Sequence, residues 1–251
     1  MTGVAIIGGT GLTALPGLEI SHQQTIQTPF GEPSAAAVFG LYDGKSVIFL
    51  ARHGSNHTLP PHKINYRANI WGLKELGVTH IVAVAAVGSI LETMRPGDLV
   101  IPDQLIDYTW GRESSFFSDN LTEVTHIDFT HPYCEDLRQQ LIHAARQVEC
   151  QTYNHGVYGV TQGPRLETIA EINRMARDGC DIVGMTAMPE AALARELGLC
   201  YAACAVVANE AAGRCPIELT MAEIERNLVT GMQNVRSLLT KWLELDTTIT
   251  K

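Results

Sequence analysis

Five short polar elements, each at the end of an apolar run or the start of a helix, hold most of the side chains in this 251-residue sequence that suit chemistry on a small molecule. Gly8-Gly9-Thr10-Gly11 follows Val4-Ala5-Ile6-Ile7; its glycines let backbone amides approach an anion, and the Thr10 hydroxyl adds a donor. Arg52 and His53 follow Val47-Ile48-Phe49-Leu50-Ala51 and pair a fixed cation with a switchable donor. Glu167 lies in Gly163-Pro164-Arg165-Leu166-Glu167-Thr168. Thr186 closes Gly184-Met185-Thr186, where the start of a helix favours an anion. Asn209-Glu210-Ala211-Ala212-Gly213 ends the last apolar run. Strand and helix ends are where α/β proteins place chemistry, although Glu167 and Thr186 also read as ordinary helix caps.

Two familiar motifs come close to this pattern and are broken by their context. His53 and His57 stand four residues apart, but Gly54 and Pro60-Pro61 deny them a helix and no H-E-x-x-H glutamate is present. No metal site is expected. Gly9-x-Gly11-x-x-Ala14 has the spacing of a dinucleotide fingerprint, which needs a helix immediately afterwards. Leu15-Pro16-Gly17 interrupts such a helix within a turn, which favours a mononucleotide or phosphate loop over a dinucleotide-dependent oxidoreductase.

The elements that must position these residues alternate between strand and helix. The pattern predicts strands at residues 4–7, 35–39 and 47–50, the last two forming a hairpin around Asp43-Gly44. It predicts a helix from Asn65 to Gly77, then Ile81-Val82-Ala83-Val84-Ala85-Ala86-Val87 as a strand buried on both faces. Further strands are expected from Asp98, over 156–161, over 181–186 and over 201–208. A helix is expected over 136–149. Another follows Thr168, with Ile169, Ile172, Met175 and Ala176 on one apolar face, Gly179 as its stop, and Pro189 in the first turn of the next. Residues 108–133 form a long loop rich in aromatics, among them Tyr108, Trp110, Phe116 and Phe117. A long amphipathic helix opens at a Thr220-Met221-Ala222-Glu223 capping box. The expected fold is α/β: one domain over residues 1–251, a central mixed sheet surrounded by helices.

Composition narrows the function classes. Apolar residues at 45% and charged residues at 18% are globular values, and no linker or repeat divides the chain. A net charge of −9 without a basic cluster argues against a nucleic-acid partner. No apolar run is long enough for a membrane helix and the first residues do not form a signal peptide, so a cytoplasmic location away from any membrane is expected. The six cysteines form no C-x-x-C pair and are expected to be reduced.

In this order the elements resemble the purine nucleoside phosphorylase family, in particular its trimeric methylthioadenosine phosphorylase-like branch. The resemblance rests on Ile6-Ile7-Gly8-Gly9-Thr10-Gly11, Thr28-Pro29-Phe30-Gly31, Leu50-Ala51-Arg52-His53-Gly54, Asn65-Tyr66-Arg67-Ala68-Asn69-Ile70-Trp71 and Met185-Thr186-Ala187-Met188-Pro189-Glu190. It implies a phosphorylase-like fold and phosphate as a co-substrate, with no cofactor. It implies that Thr10, Arg52, His53, the Ala85-Ala86 backbone and Thr186 hold the phosphate. Met185 would line the ribose, Glu210 and Ala211 would be among the substrate-binding residues, and His126 of a neighbouring subunit in a homotrimer would shape the 5′ pocket.

The departures from that branch bear on the substrate. The adenine-specific branch has a serine where Glu167 stands and aspartates where Asn209 and Ala211 stand. Gly163-Pro164-Arg165-Leu166-Glu167-Thr168 resembles the corresponding element of inosine and guanosine phosphorylases. The chemistry agrees: a Glu167 carboxylate accepts the N1–H of a 6-oxopurine, whereas adenine presents a bare acceptor there. Asn209 can donate to N7 or O6 as the base departs. Met221 falls where the inosine and guanosine enzymes carry a histidine for the 5′-hydroxyl, and a thioether suits a methylthio group. The resemblance thus implies phosphorolysis of S-methyl-5′-thioinosine to hypoxanthine and 5-methylthioribose 1-phosphate, with Asn209 and Glu167 as catalytic residues. Methylthioadenosine phosphorolysis, inosine or guanosine phosphorolysis, and a non-catalytic nucleoside-binding role are the alternatives.

Overall fold

Strand β1, Val4–Gly8, is buried along its whole length, as an apolar run without polar alternation requires of a strand covered on both faces. The structure, a computed structural model, describes residues 3–9, 12, 15, 17–118, 122–148, 150–215 and 221–245, with the side chains of 221–223 and 225 outside that description. After β1 come β2 (Leu18–Gln24), β3 (Ala37–Tyr42) and β4 (Lys45–Ala51). The β3–β4 turn is the expected hairpin, with Asp43 and Gly44 at φ 50° and 72°. Helix α1 (Tyr66–Glu75) starts on Asn65, whose side chain accepts from the Ala68 N–H, and leads into β5 (His80–Ser89). The chain continues through β6 (Leu99–Val100), β7 (Gln104–Asp107), α2 (Glu135–Ala145), β8 (Thr152–Tyr153) and β9 (Val157–Val160). It closes with α3 (Ile169–Asp178), β10 (Ile182–Gly184), α4 (Ala187–Glu196), β11 (Cys200–Glu210) and α5 (Met221–Leu245).

Among the described residues eleven strands join one mixed sheet, ordered β2-β3-β4-β1-β5-β10-β9-β7, with β11 on the other edge of β5 and followed outward by β6 and β8. Alternate residues of its central strands feed two cores. Ala5, Ile7, Ile81, Ala83, Tyr201 and Ala203 pack with Ile70 and Leu73 of α1 and Ala191 and Leu193 of α4. Val4, Ile6, Val82, Val84, Ala202 and Cys204 pack with Leu141 of α2 and Leu228, Val235 and Trp242 of α5. Helices therefore cover both faces of a mixed sheet, the expected architecture. No helix among the described residues is long and apolar enough to cross a membrane.

The central strand changes partner partway along one edge. β1 pairs in parallel with His80–Ala83 of β5, and β10 pairs antiparallel with Gly88 and Ser89. Because β11 occupies the other edge from Cys200 onward, residues 84–87 face the first edge with no strand of the described residues beside them. Parallel strands β1, β4, β5 and β11 all end near this opening.

Several expectations need correction. The Cys134 and Cys200 sulfurs are bonded, tying the start of α2 to the start of β11; Cys150, Cys180, Cys204 and Cys215 remain free. Sequence spacing missed the pair because 66 residues separate its members. In α3 only Ile172 and Met175 are buried, while Ile169 is 58% exposed and Ala176 is exposed. The helix rests on the sheet by a narrow stripe, against Ile90, Cys180, Val183 and Ala211. The strand expected from Asp98 is only Leu99–Val100. The Thr220 capping box lies outside the described residues.

Candidate active site

The opening beside β5 leads into a cavity of about 1020 Å³ walled by the ends of β1, β4, β5, β10 and β11. This is the place where α/β sheets offer loops and helix starts to a ligand. Of the residues expected to hold phosphate, Arg52, His53, Ala85, Ala86 and Thr186 all line it, joined by Gly9. Thr10 lies outside the described residues.

Gly9 lies directly over β5. A Cβ there would fall 2.7 Å from the Val84 carbonyl and 2.8 Å from Arg52 Nη1, so only glycine permits the approach. Arg52 is almost fully buried and forms a two-pronged ion pair with Glu190, Nε to Oε2 at 2.7 Å and Nη2 to Oε1 at 2.8 Å. Its Nη1 donates to the Val84 carbonyl at 2.9 Å. Three of the five guanidinium N–H groups are thus committed within the protein, leaving two for a ligand. Burial opposes the charge, but Glu190 outweighs it and holds Arg52 protonated well above its ordinary range. Val84 turns its carbonyl to the open edge, and strand alternation gives Ala86, two residues on, the same orientation. Thr186 caps α4 but makes no side-chain capping bond, and this buried residue lines the cavity.

His53 departs from the expected donor. Burial pushes its imidazole down to about 4; the Leu59 carbonyl works the other way, and nearby Arg52 and His57 lower it further. The neutral ring donates from Nδ1 to Leu59 O at 2.8 Å, which leaves Nε2 as an acceptor. Its ring centroid is 4.6 Å from that of His57, and among the described residues no three His, Cys, Asp or Glu side chains converge as a metal group.

The same cavity is also lined by Glu167, Asn209, Glu210, Ala211 and Met185. Glu167 precedes Thr168, and Thr168 with Glu171 forms the capping box of α3; Glu167 is not the cap. Its Oε1 accepts from the Thr161 hydroxyl at 2.6 Å. A register shift between Val207 and Asn209 leaves Ala208 as an extra residue against β5, a bulge of the kind that re-aims a side chain. Asn209 then donates one amide hydrogen to the Glu210 carbonyl at 2.8 Å and keeps a second. The Glu210 carboxylate is engaged by Arg95 at 2.7 Å. Met185 packs over Gly163, where φ is +60° and a Cβ would fall 2.5 Å from the methionine sulfur.

Two expected residues are not brought in. His126 is exposed in the 108–133 loop and does not line the cavity of its own chain. The Met221 side chain lies outside the described residues, although Ile224, Arg226 and Asn227 of the same end of α5 are in the wall. Sequence reasoning missed Glu190 and Arg112. The signal for Glu190 was present: a carboxylate within Ala187-Met188-Pro189-Glu190-Ala191-Ala192-Leu193 must find a buried partner. Arg112, in the aromatic loop, donates to the carbonyls of Met185, Met188, Thr161 and Gln162 and so ties two cavity-lining segments together. Nothing in its sequence surroundings marks it.

A cavity at the strand ends of a mixed sheet, lined by a buried arginine, a neutral histidine, a carboxylate and an amide, marks an α/β enzyme that acts on a small polar molecule. The model of the phosphorylase superfamily matches residues 3–244, and the chain belongs to that family. A probable S-methyl-5′-thioinosine phosphorylase of Pseudomonas syringae pv. tomato is 56% identical over 243 residues, covering 97% of this chain and 99% of the relative. The 6-oxopurine nucleoside phosphorylase of Pyrococcus furiosus is 48% identical over 229 residues, covering 89% and 85%. Among solved structures, methylthioadenosine phosphorylase of Schistosoma mansoni in complex with adenine superposes with a TM-score of 0.92 at 35% identity, covering 98% of this chain and 92% of the other.

Proposed function

We propose that this chain catalyses phosphorolysis of S-methyl-5′-thioinosine, releasing hypoxanthine and 5-methylthioribose 1-phosphate. The observation that carries the reading is Glu167: a carboxylate in the cavity wall, held at Oε1 by Thr161, on the same cavity as an Asn209 amide with a hydrogen to spare. A carboxylate accepts the N1–H of a 6-oxopurine and meets only a lone pair on adenine. Asn209 donates to N7 or O6 as negative charge grows on the leaving base.

Phosphate occupies the opposite end, on the two remaining Arg52 N–H groups, the Ala86 backbone, the Thr186 hydroxyl and Thr10. His53 Nε2 accepts the P–O–H of monohydrogen phosphate. Displacement at C1′ proceeds through an oxocarbenium-like transition state without a covalent enzyme intermediate, and binding beneath C1′ supplies proximity. Met185 lines the ribose and Met221 the methylthio group. His126 reaches the 5′ pocket from a neighbouring subunit of a homotrimer, a role in keeping with its distance from its own cavity.

The test is purine release from methylthioinosine, methylthioadenosine and inosine, each with and without phosphate. Methylthioinosine should be cleaved only with phosphate, and roughly 10⁴-fold more efficiently than methylthioadenosine, since the site reads a substrate N–H. Equal rates on methylthioadenosine and methylthioinosine would mean a methylthioadenosine phosphorylase. Turnover without phosphate would mean a hydrolase.

A further inference from the structure

Thr161 follows β9, and its backbone is fixed on two sides. Its N–H donates to the Gly184 carbonyl at 2.8 Å, and its own carbonyl accepts from Arg112 Nη2 at 3.2 Å. The hydroxyl has two acceptors in reach, Glu167 Oε1 at 2.6 Å and Gly184 O at 3.3 Å. Its single proton goes to the nearer and charged one, because charge-assisted hydrogen bonds are the stronger. Thr161 itself does not line the cavity, whereas Glu167 does.

The cation nearest in sequence is bonded to a different carboxylate. Arg165 stands two residues before Glu167, yet both its terminal nitrogens go to Glu171, at 2.8 and 2.7 Å. Glu171 is anchored in turn by the Thr168 N–H at 2.8 Å. Glu167 Oε2 accordingly has no hydrogen-bond partner among the described residues.

We propose that Thr161 is the positioning residue for base recognition. Its hydroxyl occupies one oxygen of Glu167, so that the other is presented to the N1–H of a 6-oxopurine, while Glu171 keeps Arg165 from competing for it. This rests on Glu167 being the base-reading carboxylate. Thr161 moves no proton and contacts no substrate; it selects the orientation in which Glu167 is an acceptor toward the cavity.

The test is a kinetic cycle over Thr161→Val and Glu167→Gln, with methylthioinosine and phosphate as substrates. Valine keeps the shape of threonine and removes only the hydroxyl. A hydrogen bond to a charged group is worth enough that Thr161→Val should lower kcat/KM for methylthioinosine by roughly 10- to 100-fold. The KM for phosphate, bound at the far end, should not change. Thr161→Ser should restore the rate. In the Glu167→Gln background Thr161→Val should cause no further loss, because the carboxylate it orients has gone and the amide oxygen in its place would face Thr161 rather than the base. If Thr161→Val does not fold, Thr161→Ala compared with Thr161→Ser reads the same hydroxyl. The same loss in both backgrounds, or no loss in either, overturns the proposal. A Glu167→Gln enzyme with the parent rate removes Glu167 from base reading and overturns both.

Discussion

Arg52 illustrates how a buried partner changes what a charged side chain can do. Glu190 accepts from Arg52 twice and from Tyr201 once, so the guanidinium charge is cancelled inside the protein. What the proposed phosphate site receives is a pair of directed N–H groups rather than a free cation. His53 is bound by the same burial, and this has a consequence for stability. Its folded value is about 4 against an ordinary 6.5. Between those two values the unfolded chain binds a proton that the folded one does not. Its contribution is therefore complete above pH 6.5 and is lost as pH falls towards 4. The full loss is on the order of 3 kcal/mol. His53→Gln should flatten the fall in stability across that window, measured as urea midpoints of the phosphate-free protein at several pH values. An unchanged slope would mean that the ring is not held neutral.

At the scale of elements, helix α3 separates two roles that the sequence left superimposed. Glu167 and Thr168 are adjacent, and either can be read as the cap; the structure gives the cap to Thr168 and Glu171 and leaves Glu167 in the cavity wall. Thr168→Ala should cost about 1 kcal/mol of stability, the ordinary worth of an N-cap, and leave base choice unchanged. Glu167→Gln should do the reverse. Thermal unfolding and the methylthioinosine-to-methylthioadenosine ratio measure the two. The long apolar strands and their polar ends were legible because burial on both faces leaves an unbroken run, as in Ile81 to Val87. Strand β2 was not, since six of its seven residues are exposed and its pairing with β3 needs no apolar pattern. The Ala208 bulge that aims Asn209 was equally hidden: its cause is the register of β11 against β5, which no local residue announces.

Over the whole molecule, contacts distant in sequence decide what local pattern cannot. The cavity exists because β5 exchanges β1 for β10 along one edge, and Gly9, Arg52, Ala85 and Thr186 converge there from four separate segments. Their types were readable and so was their place at strand ends; Glu190 beneath Arg52, 138 positions away, was not. The Cys134–Cys200 bond belongs to the same category. It fastens α2 to β11, and the sheet independently fastens β11 to β5 over most of its length. Losing the bond should therefore loosen the unfolded chain far more than it moves the site. A link across 66 residues is worth about 4 kcal/mol by chain entropy, and measured values fall in the range of roughly 2–4. The double variant Cys134→Ser, Cys200→Ser should lose stability on that scale in urea, while its KM for phosphate and its rate at 25 °C stay at the parent's values. Thiol titration of the unfolded, unreduced parent should find four of the six cysteines reactive. Six reactive thiols would mean that the two sulfurs are not joined in solution. A rise in phosphate KM in the double variant would mean instead that Tyr201, next to Cys200 and hydrogen-bonded to Glu190, transmits the state of the bond to Arg52.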